Sequence, residues 1–165
     1  MKKLILLLLF PLLLAGVEPT RIDAPEFLKE VKQALPHQGP LRKTSEGFVY
    51  VKVPNEYIRK TLDFLKEAEA PAYFGQGMVG AHITVIDAEE SKGKRLILPA
   101  MGTMISFEIV SFSSIDISNE HGFKRLYMLL VKAPELEKIR ADNGLPPKIR
   151  GYDFHITVAI ELLKT

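Results

Sequence analysis

The chain has 165 residues, of which 47% are hydrophobic and 25% are charged, and these proportions exclude a largely disordered chain and argue against two independent domains. The formal net charge is +2, but Lys2 and Lys3 lie in a leader (residues 1–16) without acidic residues, so the remaining 20 basic residues balance the 20 acidic ones. A neutral body argues against strong non-specific binding to a nucleic-acid backbone, which requires clustered uncompensated cations.

The leader has the pattern of a secretory signal peptide. Two lysines precede an apolar run (residues 4–14) that is too short to span a bilayer and that ends at the small residues Ala15 and Gly16. An uncleaved N-terminal anchor is the alternative, because these small residues form a poor cleavage pattern. We therefore expect an exported protein, periplasmic or secreted, with no membrane association once the signal is removed. The chain has no cysteine, which excludes disulfides and thiolate metal sites.

Residues 17–47 are predicted to form an N-terminal helix and a loop ahead of the main domain, residues 48–165. Asp23 is a suitable N-terminal cap and Pro25 suits the first helical turn. Apolar residues recur along one stripe of this helix, and the prolines at positions 36 and 40 then break it. 

The main domain reads as strands interspersed with two helices. Pro54 and Pro134 each follow a strand and open a helix, and the second helix ends near Asn143. A loop rich in glycine and aromatic residues (residues 73–80) joins the first helix to the next strand, and it either contacts the substrate or is a plain connector. The predicted strands are residues 48–53, 82–86, 96–98, 104–112, 123–131 and 155–160.

Two strand-helix-strand segments of this domain match each other. The sequence Val-Lys-Val-Pro at residues 51–54 recurs as Val-Lys-Ala-Pro at residues 131–134, an offset of 80. The sequence His-Ile-Thr-Val at residues 82–85 recurs at residues 155–158, an offset of 73. A duplicated unit is the simplest interpretation, with the second copy shorter by a segment that coincides with the loop of the first.

Within each repeated strand, the histidine and the threonine share one face because side chains alternate along a strand. His82 and Thr84 therefore lie opposite an apolar face, and His155 and Thr157 do the same. Two facing pairs suit phosphoryl chemistry: imidazole titrates near neutrality and exchanges protons, while threonine hydroxyls donate to phosphate oxygens.

Two other interpretations of the histidines are weaker. The rings could simply lie on solvated strand faces, although the doubled motif argues against this. A two-histidine metal site is disfavoured because zinc usually takes three or four protein ligands, and the two motif histidines supply only two. The other two histidines, His37 and His121, are expected on the surface. No metal or cofactor is predicted.

The paired motifs resemble the 2H phosphoesterase superfamily, over residues 48–163. Its branches include 2′-5′ RNA ligase-like proteins, 2′,3′-cyclic nucleotide phosphodiesterases and a Swiss Army Knife RNA repair-like branch. The resemblance implies a bilobal α+β fold, in which duplicated units form antiparallel sheets lining a groove with helices outside. It also implies metal-independent cleavage or formation of a phosphodiester at a ribose 2′ position. His82 and His155 would be the acid/base pair, and Thr84 and Thr157 the phosphate ligands.

Further residues are candidates for contacting such a substrate. Tyr73, Phe74 and Tyr152 could stack a base or merely pack, and Arg150, just before the second motif, could line the groove or be an ordinary solvated charge. The expected partner is a nucleotide or a short RNA with a cyclic or 2′-linked phosphate, and export favours a small substrate over tRNA. The alternatives are a non-catalytic groove protein that binds a phosphorylated nucleotide and, less favoured, a metal-dependent hydrolase.

Overall fold

The computed structural model describes residues 18–75, 77–119 and 122–163, so the predicted signal peptide and His121 lie outside the described residues. None of the helices in these ranges is long and apolar enough to cross a membrane. The described residues form these elements in chain order: β1 (Thr20–Arg21), α1 (Pro25–Ala34), β2 (Gln38–Lys43), β3 (Val49–Lys52), α2 (Glu56–Leu65), β4 (His82–Ile86), α3 (Ala88–Ser91), β5 (Met104–Ser106), β6 (Glu108–Asn119), β7 (Gly122–Lys132), α4 (Pro134–Asp142) and β8 (His155–Leu162).

The strands form one antiparallel sheet in the order β1-β6-β7-β8-β4-β3-β2-β5. The expectation of a mixed α+β fold with antiparallel strands is confirmed. Separate sheets were predicted, but the two strand-helix-strand segments are joined where β4 pairs with β8 through Ile83 and Ile156. The two histidine-bearing strands are therefore neighbours at the centre of a single sheet.

A row of directly paired, fully buried residues crosses this sheet on its helix-covered face. At one end of the row, Phe112 packs against Phe27 of α1, with ring centroids 5.0 Å apart, and α2 and α4 contact β8 and β4. Burial of such aliphatic and aromatic side chains supplies the main driving force for folding. The row consists of Leu41, Val51, Ile83, Ile156, Leu129 and Phe112.

The segment 17–47 contributes to the same sheet and core. Helix α1 begins at Pro25 as predicted, but Asp23 is not its cap: the N-cap residue is Ala24, without a side-chain hydrogen bond. The helix ends at Ala34, just before the predicted break, but part of the predicted loop is the strand β2, which pairs with β3 on one side and with β5 on the other. Pro40 is accommodated near an end of the sheet, where fewer main-chain donors are needed.

The predicted strand at residues 96–98 does not form. The side-chain amide of Asn143, at the end of α4, accepts a hydrogen bond from Ile97 N at 2.7 Å and donates one to Ile97 O at 2.8 Å. These main-chain groups are the ones that a neighbouring strand would have used. A short helix that was not predicted, α3, follows β4 and starts with a reciprocal capping box between Asp87 and Glu90.

The structure also corrects the alignment of the two matching segments. Val53 N donates to Ala81 O, and Val131 N donates to Phe154 O, so Val53 and Val131 occupy equivalent positions beside their motif strands. Their spacing is 78 residues, whereas the sequence match implied 80. The helix caps agree with the shorter offset, since the N-cap residues are Asn55 and Ala133. The Val-Lys-x-Pro match is thus two residues out of structural register.

Candidate active site

The pairing of the two central strands brings the four motif side chains together. Because β4 and β8 are antiparallel and pair at Ile83 and Ile156, His82 lies opposite Thr157 and Thr84 lies opposite His155. All four side chains project from the face opposite the buried row. The two histidines are therefore diagonal neighbours across the β4–β8 pair, and the two threonines lie on the other diagonal.

Both imidazoles are oriented by the same local hydrogen bond. Nδ1 of His82 lies 2.7 Å from Gly80 O, and Nδ1 of His155 lies 2.8 Å from Asp153 O. A carbonyl oxygen only accepts hydrogen bonds, so Nδ1 is the donor in each ring and Nε2 of the neutral ring is a base. In both rings, Nε2 is therefore the nitrogen that can exchange a proton with a bound substrate.

The surroundings hold both imidazoles towards the neutral form. Burial lowers the pKa of His82, the Gly80 carbonyl opposes this, and the positive charges of His155 and Lys52 lower the pKa further. Burial also lowers the pKa of His155, while the hydrogen bond to the Asp153 carbonyl and the Asp153 carboxylate act in the opposite direction. Each ring can therefore accept a proton at neutral pH, and a proton on one ring disfavours a proton on the other.

The two histidines have different flanks. On the side of His82, β3 and the residue before it place Phe48, Tyr50 and Lys52 on the same face as the motif. The ring centroids of Phe48 and Tyr50 are 5.5 Å and 5.8 Å from that of His82. Lys52 is the direct strand partner of His82, and its Nζ donates to Val79 O at 2.9 Å. An aromatic and cationic surface therefore borders this histidine.

On the other side, β7 supplies an aliphatic surface. Leu130 is the direct strand partner of His155, and Met128 is the partner of Thr157. Leu130 thus occupies the position that Lys52 holds beside His82. The four motif residues form a nearly symmetric set within an asymmetric site.

Among the predicted substrate contacts, Tyr73 is the one whose ring contacts a motif histidine in the structure. Its ring centroid lies 4.7 Å from that of His82, and its hydroxyl donates to Thr157 O at 3.0 Å. Burial raises the pKa of Tyr73 to about 12, with the hydrogen bond to Thr157 acting in the opposite direction, so the phenol remains protonated. Tyr73 therefore anchors the loop of residues 73–80 to β8 beside both motifs.

The other three predicted contacts lie in different surroundings. Phe74 packs against Arg59, whose guanidinium carbon is 5.9 Å from the ring centroid. Arg150 forms an ion pair with Asp87, Nε to Oδ2 at 3.0 Å. Tyr152 pairs with Ile149 in a tight turn ahead of β8 and lines a cavity of about 210 Å³.

Sequence reasoning missed the aromatic and cationic flank. Alternation along β3, with Val49 and Val51 buried, put Phe48, Tyr50 and Lys52 on one face, but nothing in the sequence stated that this strand lies beside His82.

The remaining described histidine, His37, lies outside the two motif strands. His37 was expected on the surface but is half-buried, and its Nε2 is buried without a hydrogen-bond partner among the described residues.

Within residues 18–75, 77–119 and 122–163, no group of three or more His, Asp or Glu side chains is placed to hold a metal ion.

Comparisons with known proteins assign this arrangement to a family. Residues 49–162, from β3 to β8, match the family model described as Swiss Army Knife, 2H phosphoesterase domain. Comparison with curated proteins and with solved structures found no match. The match covers more than half of the chain and includes both histidine-threonine motifs. The chain therefore belongs to the Swiss Army Knife family of 2H phosphoesterase domains.

Proposed function

We propose that this protein is a metal-independent phosphoesterase that opens 2′,3′-cyclic phosphates, or cleaves other 2′-linked phosphodiesters, in small nucleotides or short RNA. Its membership of a phosphoesterase family supports the reaction class. The observation that carries the finer proposal is the pairing of Ile83 with Ile156, which sets each motif histidine opposite the threonine of the other motif. The proposed site comprises His82, Thr84, His155 and Thr157.

The proposed reaction needs two proton transfers. Nε2 of one neutral histidine takes a proton from water, the water oxygen bonds to phosphorus, and the bond from phosphorus to the ribose 2′ or 3′ oxygen breaks. The other histidine, protonated, gives its proton to that leaving oxygen. The products are a phosphomonoester and a free ribose hydroxyl, and proton exchange between the rings and solvent restores the starting state. The proposal does not assign which histidine is the base.

Charge stabilisation is the role proposed for the threonines. Each hydroxyl can donate to a non-bridging phosphate oxygen, where negative charge builds up in the transition state. An anionic substrate between the rings also favours the imidazolium form, which offsets the effect of burial on the pKa of the histidine that acts as the acid. The reaction requires one neutral and one protonated imidazole, and a pair of histidines meets this requirement better than either ring alone.

Export is part of the proposal and rests on the pattern of residues 1–16. An exported enzyme would act on nucleotides or RNA fragments outside the cytosol. Fractionation of cells that express the full chain tests it: recovery in the cytosolic fraction with the leader uncleaved would contradict export.

The central experiment uses the chain from residue 17 onward, incubated with 2′,3′-cyclic nucleotides and short cyclic-ended RNA in the presence of a chelator. Phosphorus NMR would resolve the monoester product. We expect turnover by the wild type and a loss of about 10²–10⁴-fold or more in His82→Ala and in His155→Ala, since each removes a proton-transfer partner. His37→Ala, which removes a histidine away from the motif strands, is the matched control and should retain activity.

Each alternative predicts a different result. Saturable nucleotide binding without product would support the non-catalytic binding protein. Activity that disappears with the chelator and returns with a divalent cation would support a metal-dependent hydrolase. Retained activity in a folded His82→Ala or His155→Ala variant would refute the proposed roles of the histidines.

A further inference from the structure

A buried arginine, Arg140 of α4, lies in the core, where it contacts β4 and the segment that precedes β8. Its side chain is fully inaccessible to solvent. Its guanidinium donates to both carboxylate oxygens of Glu90, at 2.6 Å and 2.9 Å, and to three main-chain carbonyls. These carbonyls are Val85 O at 2.7 Å, Pro146 O at 2.6 Å and Lys148 O at 3.1 Å.

Such a group is costly to bury unless it is fully paired. Removing a guanidinium and a carboxylate from water carries a large desolvation penalty, which only good geometry and further hydrogen bonds offset. An apolar side chain of similar volume often stabilises a core as well or better, so a buried ion pair is weak grounds for inferring a stabilising role. The residues that Arg140 joins suggest another role.

One partner of Arg140 belongs to the first motif strand. Val85 directly follows Thr84, and the pairing of β4 with β8 is confined to Ile83 and Ile156. On the Thr84 side of that pair, β8 begins only at His155, so Val85 lies past the start of β8, and Arg140 takes its carbonyl.

The other main-chain partners lead to the second motif. Lys148 is followed by a tight turn closed by two hydrogen bonds between Ile149 and Tyr152, and Asp153 then accepts the hydrogen bond from His155 Nδ1. By donating to Lys148 O, the guanidinium of Arg140 therefore fixes the start of the turn that leads to Asp153 O. Arg140 thus bonds the carbonyl of the residue next to Thr84. It also bonds the start of the turn that leads to Asp153 O, the group that orients His155.

We propose that Arg140, neutralised by Glu90, is a positioning residue that sets the separation and orientation of Thr84 and His155 where β4 extends past the start of β8. The proposal rests on the proposed function for its catalytic consequence. Arg140 itself contacts neither substrate nor reacting atoms. A rigid planar fork with five donors suits this task because it bonds a carboxylate and separate carbonyls at once, which the single ammonium of lysine does not.

A second, exposed ion pair reinforces the same connection. Glu90 also accepts a hydrogen bond from Asp87 N at 3.1 Å, and the Asp87 carboxylate bonds Arg150 within the turn at 3.0 Å. The hydrogen bonds from Arg140 are the largest cause of a lowered pKa at Glu90. The carboxylate therefore stays charged at neutral pH and keeps the network intact.

The test compares Arg140→Lys and Glu90→Gln with a matched control, Arg125→Lys. Arg125 also binds a carboxylate with two nitrogens, to Asp116 at 2.7 Å and 3.2 Å, but at the exposed outer part of β6 and β7. We expect kcat per folded molecule to fall about 10²-fold in the first two variants, since displacement of catalytic groups by about 1 Å has this effect. The control should retain wild-type kcat.

Two further readouts separate positioning from stability. Histidine titration by NMR needs no substrate: in Arg140→Lys the pKa of His155 should change, because the turn supplies both the burial that lowers this pKa and the Asp153 contacts that oppose it, and it should not move in Arg125→Lys. In Arg140→Ala, millimolar guanidinium should restore part of the lost kcat by occupying the vacated site.

The outcomes are distinct. Folded Arg140→Lys and Glu90→Gln proteins with lower thermal stability but wild-type kcat and an unchanged His155 pKa would overturn the proposal. If the wild type turned over no substrate, the proposed function would fail, while the shift of the His155 pKa would still decide whether Arg140 orients that ring.

Discussion

At the scale of single residues, the candidate site combines two nearly identical histidine-threonine motifs with unlike neighbours. Both histidines donate from Nδ1 to the carbonyl two residues earlier, and both are held neutral by burial. The difference lies on the adjacent strands, where Lys52 pairs with His82 and Leu130 pairs with His155. A substrate that is itself asymmetric, with a nucleoside on one side of its phosphate, would therefore encounter two distinguishable ends.

Lys52 provides a prediction at this scale. Its positive charge disfavours a second positive charge on His82, so Lys52→Ala should raise the pKa of His82. Titration of the His82 ring signals by NMR would measure the change. The matched control is Lys132→Ala, the lysine that the sequence repeat wrongly made equivalent to Lys52. An equal shift in both variants, or a downward shift in Lys52→Ala, would contradict the role that the structural register gives to Lys52.

At the scale of elements, the loop of residues 73–80 connects α2 to the first motif. Tyr73 bonds β8 at one end of the loop, and Gly80 supplies the acceptor for His82 at the other. Gly80 has φ +74°, a left-handed conformation that glycine adopts at little cost, and an added Cβ would collide with Asn55 Oδ1. That oxygen accepts a hydrogen bond from Ala81 N at 2.9 Å. The loop therefore reaches the motif through a position that excludes a side chain.

Gly80→Ala is the corresponding prediction. Strain and the collision together should destabilise the protein by about 1–3 kcal/mol and lower kcat by displacing the acceptor of His82. Gly77→Ala is the matched control, because Gly77 has φ +76° but no heavy atom within 4 Å of the added Cβ. Urea unfolding and turnover would be measured for both. Equal effects of the two substitutions on kcat would show that backbone strain alone, rather than the contact at Gly80, accounts for the loss.

At the scale of the whole molecule, one sheet carries the core on one face and the site on the other. The buried row centred on Ile83 and Ile156 fixes the register that also aligns the motif side chains. A slip of one residue would move the motif histidines and threonines to the core face, so the packing that fixes the register also aligns the four residues of the candidate site. Burial that stabilises the fold is likewise what lowers the pKa of both histidines.

This coupling predicts a pH dependence of stability. Each histidine has a lower pKa in the folded protein than the unfolded value of about 6.5. As pH falls below about 6.5, the unfolded chain binds protons that the folded protein does not, so the free energy of unfolding decreases. The decrease ends once the pH is below the pKa values of the two histidines in the folded protein. The free energy of unfolding should therefore decline between about pH 7 and pH 5, above the range in which the carboxylates titrate.

A double variant tests the origin of that decline. His82→Gln/His155→Gln should show a shallower fall in the free energy of unfolding over the same range, measured with urea. Above about pH 7.5 the two proteins should run parallel, because neither histidine titrates there. An unchanged slope in the double variant would place the pH dependence in other groups.

Local patterns were sufficient for the motif strands, their faces and the helices at Pro25 and Pro134, whereas α2 begins at Glu56 rather than at Pro54. His82–Ile86 and the strand beginning at His155 follow from alternation alone, and Pro25 and Pro134 lie in the first turns of α1 and α4. The same patterns failed where the side chain of a distant residue took the main-chain hydrogen bonds of a predicted strand. Asn143 took the hydrogen bonds of Ile97, and no signal near residues 96–98 could have indicated it.

The sequence by itself therefore identified the four residues proposed to carry the chemistry and the side of each strand that they occupy, because side-chain alternation and residue type are properties of short segments. Only the tertiary structure decided what stands beside them. Lys52 pairs with His82, whereas Leu130, two residues before Lys132, pairs with His155. This register depends on which strands pair, and burial of the central row of residues determines that pairing over long range. The role proposed for Arg140 has the same basis, since its partners are 6 to 55 residues away along the chain.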